Sequence, residues 1–392
     1  MTSLRVYKGL LQSVIQVPPS KSYANRLLIL AALKPTPFTI HNLPAAEDVQ
    51  FLVQCLSKLG LAMTQNNNSV TVSRSFPACE SDDLSFDVGE GGTTARFLAC
   101  MLTLGKKHYR LNLGERLSQR PWAEFIDLVN AHGGKASLEG RVLNVQGPLE
   151  FESTLNIDCA RTSQFASGFL LAYGKGMKIY PQNLRSSESY WEMSKALLRE
   201  IDLKSDYSVP LDWSSASYPM VFAALNQTIE LPGLKADSFQ ADAKLLKVLA
   251  KLGAIKDSFQ GLTVSQLTHP QALEIDVNDC LDLVPSLAFL LAHIEEKHLL
   301  KGVSNLVHKE SDRLAQVQNL LSTFKRKSGR RGSDLWIEGR SERLDELVDL
   351  TMPNDHRMVM AATLFLKHHG GGTVGPAEAV KKSYPAFFDL LS

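Results

Sequence analysis

Ser20–Leu33 reads SKSYANRLLILAAL: polar and charged residues open the run, and from Leu27 onward every side chain is apolar. A helix that is apolar on all sides has no face left for water, so this stretch predicts one that is buried. Its opening is different. The first N–H groups of a helix have no partner inside it and must find one elsewhere. The same design returns five times, as GGTTARFLACMLTL from Gly91, TSQFASGFLLA from Thr162, SSASYPMVFAAL from Ser214, LDLVPSLAFLLA from Leu281 and DHRMVMAATLFL from Asp355. The steps between these starts are about 52 to 74 residues, the mark of an internal repeat.

Working outward, each apolar run is followed by a second, amphipathic helical pattern with a charged outer face. These begin at Ala46, Arg120, Tyr190, Phe239, Glu310 and Ser383. Short alternating runs such as SVTVSRSF at Ser69 and LNVQG at Leu143 read as strands. The unit is a mixed α/β repeat used six times. A chain of 392 residues is also longer than one apolar core usually serves, so two domains are expected. The six apolar runs carry Ser, Thr, Asp, Gly or a cation within their first two residues. Taken singly, Ser, Thr and Asp there are N-caps. Taken together, with Lys or Arg in several first turns, they point to a shared site for phosphate and carboxylate groups.

Composition narrows the function classes. The net charge of +1 gives no bulk attraction to nucleic acid or to an anionic membrane. The run KRKSGRR from Lys325 reads as a solvated hairpin. Cys55, Cys79, Cys100, Cys159 and Cys280 show no CxxC and no metal-ligand spacing, so neither a metal nor a disulfide scaffold is expected. Met1–Ser20 lacks the pattern of a signal peptide, and no long apolar run suits a membrane span. A cytoplasmic monomer without cofactor, acting on small molecules and not on nucleic acid or membrane, is the expectation.

Eight short elements now gain a common reading. They are PPSKSYANR from Pro18, GEGGTTARF from Gly89, LGERLSQRP from Leu113, TSQF from Thr162, DWSSASY from Asp212, KESDRL from Lys309, DHRM from Asp355 and KKSYP from Lys381. In this order they resemble the EPSP synthase family over nearly the whole chain. The resemblance implies two similar inside-out α/β barrel-like domains of three repeats each, with helices inside, sheets outside and an active site in the interdomain cleft. It suggests a continuous domain over 18–227 and a discontinuous one over 1–17 and 228–392. It further implies transfer of the enolpyruvyl group of phosphoenolpyruvate to the 5-hydroxyl of shikimate 3-phosphate, with release of phosphate.

Carried over position by position, the resemblance assigns Lys21, Gly92, Arg116, Gln164, Arg313, Arg357 and Lys382 to phosphoenolpyruvate. To shikimate 3-phosphate it assigns Lys21, Ser22, Arg26, Thr162, Ser163, Gln164, Ser187, Tyr190, Asp282, Asn305 and Lys309. Asp282 is implied as the base for the 5-hydroxyl. Glu310, together with Lys21, is implied in proton exchange at the methylene carbon. The residue types suit the work: planar guanidinium groups pair bidentately with phosphate and carboxylate, and glycine lets the backbone approach a small ligand. Arg357, in the first turn of an apolar helix, opposes the helix dipole and argues for an anionic partner.

Departures from the family pattern are Glu90 for its common Asn, Gly91 for Ala, Phe97 for Pro and Pro19 for Gly. A carboxylate at Glu90 is expected to repel phosphoenolpyruvate unless it turns away or pairs with an arginine. Phe97 is expected to shift the helix start and to disfavour glyphosate, which in this family competes for the same pocket. Two rivals stand beside the main reading. The sister carboxyvinyltransferases acting on UDP-N-acetylglucosamine typically carry a cysteine in the loop matching Leu113–Pro121, which has none here. A non-catalytic anion-binding protein would have no need of both Asp282 and Glu310.

Overall fold

A computed structural model describes residues 2–78, 84–151, 153–237, 239–258 and 261–391; Cys79 lies outside them. Five of the six apolar runs are α-helices at or close to the quoted starts: Lys21–Leu33, Gly92–Leu102, Gln164–Tyr173, Trp213–Asn226 and His356–His368. In the other, a 3-10 turn at Leu281–Leu283 leads into the helix Val284–Leu291, with Pro285 in the first turn where its missing N–H is no loss. Nearly every side chain of these helices is buried.

The amphipathic patterns give the helices Glu47–Lys58, Ala123–Ala131, Glu188–Glu200, Lys244–Lys251 and Arg313–Thr323. The sixth, expected from Ser383, does not form. Pro385 lacks a donor and clashes with a preceding turn, and the chain makes 3-10 turns at Ala377–Lys382 and Phe387–Leu390 instead.

The strands form six small open sheets among the described residues, and none closes on itself. Three share one topology. Strand Ser85–Gly89 pairs parallel with His108–Leu113, which pairs antiparallel with Val142–Gln146, itself the partner of Lys135–Glu139. Glu274–Asp276, Lys297–Lys301, Asp334–Glu338 and Lys327–Arg331 repeat this order. So do Asp206–Ser208, Phe38–His41, Ser69–Val72 and Met63–Asn66, but here the parallel strand comes from far along the chain. A fourth sheet, Ile229–Pro232, Gly261–Val264 and Ile255–Ser258, has only a parallel bridge from Val14 to Glu230 in that place. The hairpin expected at KRKSGRR is present in Lys327–Glu338, although Arg326 is buried and donates to the carbonyls of Ala292 and Glu342.

The chain divides into two units, Pro19–Pro210 and Met1–Pro18 with Leu211–Ser392. The return crossing thus lies at Pro210/Leu211, not at the expected 227/228. The reason is packing. The Trp213 helix packs on the Val284 and His356 helices, and Phe222 stacks on Phe289 at 6.0 Å. The Lys21, Gly92 and Gln164 helices pack on one another in the continuous unit. Each unit therefore holds three central helices.

Candidate active site

In the discontinuous unit, the starts of the Arg313 and His356 helices carry the charged centre. Asp312 caps the first, accepting from the Ala315 N–H at 3.1 Å. Asp355 caps the second, accepting from the Arg357 N–H at 3.0 Å. Arg313, fully buried, donates through Nε to Asp355 Oδ2 at 2.8 Å and through Nη1 to Asp282 Oδ1 at 2.7 Å. Its Nη2 donates to Glu310 and, at 3.2 Å, to Asp355 Oδ1. Arg357 donates from Nη2 to Asp282 Oδ2 at 3.0 Å and from Nη1 to Ser214. Lys309 Nζ lies 3.4 Å from Asp282 Oδ1, and Lys382 donates to the Asn354 carbonyl at 2.7 Å. Asn305 sits half-buried in the 3-10 turn Ser304–His308, just before Lys309.

The electrostatics follow from this crowding. Burial pushes the Asp282 carboxyl up, but Arg357, Lys309 and Arg313 outweigh it and hold Asp282 far below the usual range. Burial lowers the Arg313 guanidinium, and Asp355, Glu310 and Asp282 more than reverse this. A further carboxyl, Asp242, is pushed up to about 7 by burial and by Asp282. Asp242 and Asp355 carry weight that the sequence reading did not give them. Asp355 has the appearance of an ordinary cap, and only the fold shows that it also holds Arg313.

In the continuous unit, Lys21 opens its helix and pairs with Asp48 at 2.8 Å; both are largely buried. Five residues on, Arg26 is 2% exposed and donates to Ser194 Oγ at 2.8 Å, to the Ser22 carbonyl at 2.9 Å and to the Tyr190 carbonyl at 3.1 Å. No carboxylate among the described residues pairs with it, and burial pulls its pKa down to about 10. A buried cation with no carboxylate beside it is costly to keep charged. Ser187 stands in the left-handed region at φ 65° before the Glu188–Glu200 helix, and its carbonyl accepts from the Tyr190 N–H. Thr162 accepts from the Gln164 N–H at 3.2 Å, Ser163 precedes the helix that Gln164 opens, and Gln164 Oε1 accepts from Arg96 at 2.6 Å.

One expectation about the loop after Leu113 changes. Arg116 is exposed, donating to Gln119 at 3.3 Å. Arg120 instead lies against Gly92: a Cβ there would meet Arg120 Nη1 at 2.6 Å, and Arg120 Nε is buried without a partner. The sequence offered two arginines four residues apart, and only packing separates them. Glu90 turns away from a free position: its carboxylate accepts from the Arg116 N–H at 3.3 Å and the Leu117 N–H at 2.9 Å, holding the turn Glu115–Ser118. The helix that carries Phe97 begins at Gly92, and the Phe97 side chain is fully buried.

Among the described residues no group of His, Cys, Asp or Glu is arranged to hold a metal, and no helix is long and apolar enough to cross a membrane. The two-unit α/β architecture, with cations and acids at central helix starts, defines a protein of the enolpyruvyl transferase fold. It superposes on the enolpyruvyl transferase NikO of Streptomyces tendae with a TM-score of 0.78 at 15% identity, covering 99% of this chain and 96% of that one. For an EPSP synthase structure from Acinetobacter baumannii the TM-score is 0.77 at 20% identity, covering 99% and 97%. The family model for EPSP synthase (3-phosphoshikimate 1-carboxyvinyltransferase) matches residues 7–204 and 199–391, and the chain belongs to that family. Among its relatives, the 3-phosphoshikimate 1-carboxyvinyltransferase of Pyrococcus abyssi is 28% identical over 95% of this chain and 93% of its own. That of Clostridium acetobutylicum is 28% identical over 100% and 97%.

Proposed function

We propose that this chain transfers the enolpyruvyl group of phosphoenolpyruvate to the 5-hydroxyl of shikimate 3-phosphate, releasing phosphate. The observation that carries this reading is the ion-paired group of Asp282, Glu310, Lys309, Arg313 and Arg357. It joins acids able to move protons to guanidinium groups suited to a phosphorylated carboxylate. On this reading Lys21, Arg120, Arg313, Arg357 and Lys382 hold phosphoenolpyruvate, with Arg120 in the role first given to Arg116. Ser22, Arg26, Ser163, Gln164, Tyr190, Asn305 and Lys309 hold shikimate 3-phosphate, supported by Thr162 and Ser187. Both sets act on one substrate pair.

The chemistry then runs in two halves. The 5-hydroxyl loses its proton to Asp282 and adds to the central carbon of phosphoenolpyruvate as the methylene carbon gains a proton from Glu310. Next Glu310 takes a proton back from the new methyl group, the double bond re-forms, and phosphate leaves carrying the proton that Asp282 took from the hydroxyl. Asp282 held by three cations is a weak base. A bound phosphoenolpyruvate competes for the same N–H groups of Arg313 and Arg357, so its arrival raises the basicity of Asp282 where it is needed. Phosphate release is the test, measured with purified protein, phosphoenolpyruvate and either shikimate 3-phosphate or UDP-N-acetylglucosamine. Turnover with the first acceptor alone is expected. Turnover with the second, or with neither, overturns the reading.

A further inference from the structure

Phe97 lies where the family commonly has proline, and its ring has a definite neighbour. The Arg26 guanidinium carbon sits 5.0 Å from the centre of the Phe97 ring and 5.6 Å from that of Tyr190. Phe97 is fully buried and Arg26 almost so. Three of the five Arg26 N–H donors are used, on Ser194, Ser22 and Tyr190. One N–H on each terminal nitrogen remains. No carboxylate among the described residues balances the charge, and the negative ring faces add their attraction to that of the Ser194 hydroxyl and the two carbonyls.

We propose that Phe97 is a positioning residue for acceptor binding: its ring holds the Arg26 guanidinium so that the two remaining N–H groups face an anionic group of the acceptor. Proline offers no such face. A cation held by aromatic rings keeps its full charge for the ligand, whereas one held by a carboxylate would have to exchange partners. In this chain the departure at Phe97 thus bears on the acceptor and not on phosphoenolpyruvate. The inference rests on the reading of Arg26 as part of the shikimate 3-phosphate site.

The experiment measures shikimate 3-phosphate binding by calorimetry, and the KM of each substrate, for the native protein and two kinds of variant. In one, Phe97→Leu keeps bulk and loses the ring. In the other, mono-, tri- and pentafluorophenylalanine are placed at position 97 alone, keeping the shape while draining and then reversing the charge on the ring face. Phe97→Leu is expected to weaken acceptor binding about 3- to 30-fold. Affinity is expected to fall stepwise along the fluorinated series, with the KM for phosphoenolpyruvate unchanged. If Phe97→Leu fails to fold, the fluorinated series decides. A flat series overturns the positioning role while leaving the proposed function standing. Failure of the native protein to bind shikimate 3-phosphate overturns the acceptor assignment and this inference with it.

Discussion

Arg116 and Arg120 show what a sequence withholds at the scale of the residue. Both lie in one loop, both are cations, and the motif LGERLSQRP suits either. Only the structure sets Arg120 beside Gly92 and leaves Arg116 in solvent. Arg120→Lys is therefore expected to raise the KM for phosphoenolpyruvate at least about tenfold, the scale of one charged hydrogen bond lost. Arg116→Lys should change it less than about twofold. Steady-state kinetics on both variants checks the pair. Glu310 and Asp312 stand two apart in KESDRL, where either acid could cap the helix, and the structure gives the cap to Asp312 while Glu310 accepts from Arg313. Glu310→Gln is expected to lower turnover by about 100-fold or more, the usual range for a proton-transfer group. Shikimate 3-phosphate binding should stay near normal. Near-normal turnover in this variant would remove Glu310 from proton transfer.

At the scale of the element, the apolar helices were readable because burial on every side leaves an unmistakable run of residues. The sixth amphipathic helix was misread because a hydrophobic pattern does not weigh Pro385. What pattern could not show at all is the far end of the His356 helix. There His369 Nδ1 accepts from the Leu344 N–H at 2.9 Å, so its other nitrogen donates to His293 Nε2, also at 2.9 Å. His293 in turn donates through Nδ1 to the Phe289 carbonyl at 2.7 Å. Each ring is neutral, one donor and one acceptor, and a proton added between them would set two donors face to face. Burial pulls His368 and His369 down to about 3, against about 6.5 when unfolded. The unfolded chain thus binds more protons between those values, and stability present above pH 6.5 is lost as pH falls toward 3. At pH 5 the loss is about 2 kcal/mol for each of the two rings. Urea unfolding at pH 7.5 and pH 5 measures it. Equal midpoints would show that the cluster takes up protons without cost.

For the whole molecule, six repeats in two units were visible as spacing, yet the pairing of strands was not. Asp206–Ser208 is three residues long and joins Phe38–His41, more than 160 residues away. No local pattern encodes such a partner, and the unit boundary was misplaced for the same reason. The consequence lies at the two crossings. The Ser20 N–H meets the Pro210 carbonyl at 2.8 Å, and the Asp212 N–H meets the Pro18 carbonyl at 2.9 Å. The continuous unit enters and leaves through points one hydrogen bond apart, as a guest grafted into a loop of its host. Among the described residues its sheets use only its own strands, while the host needs the strand Leu4–Val6, paired with Gly372–Gly375, from before the graft. Pro18 joined to Leu211 through two or three glycines should then give a host that folds alone, and residues 19–210 a guest that does the same. Each should melt cooperatively by circular dichroism, whereas the host without Met1–Pro18 should not. Host and guest would then be two separable chains, each with a core of its own.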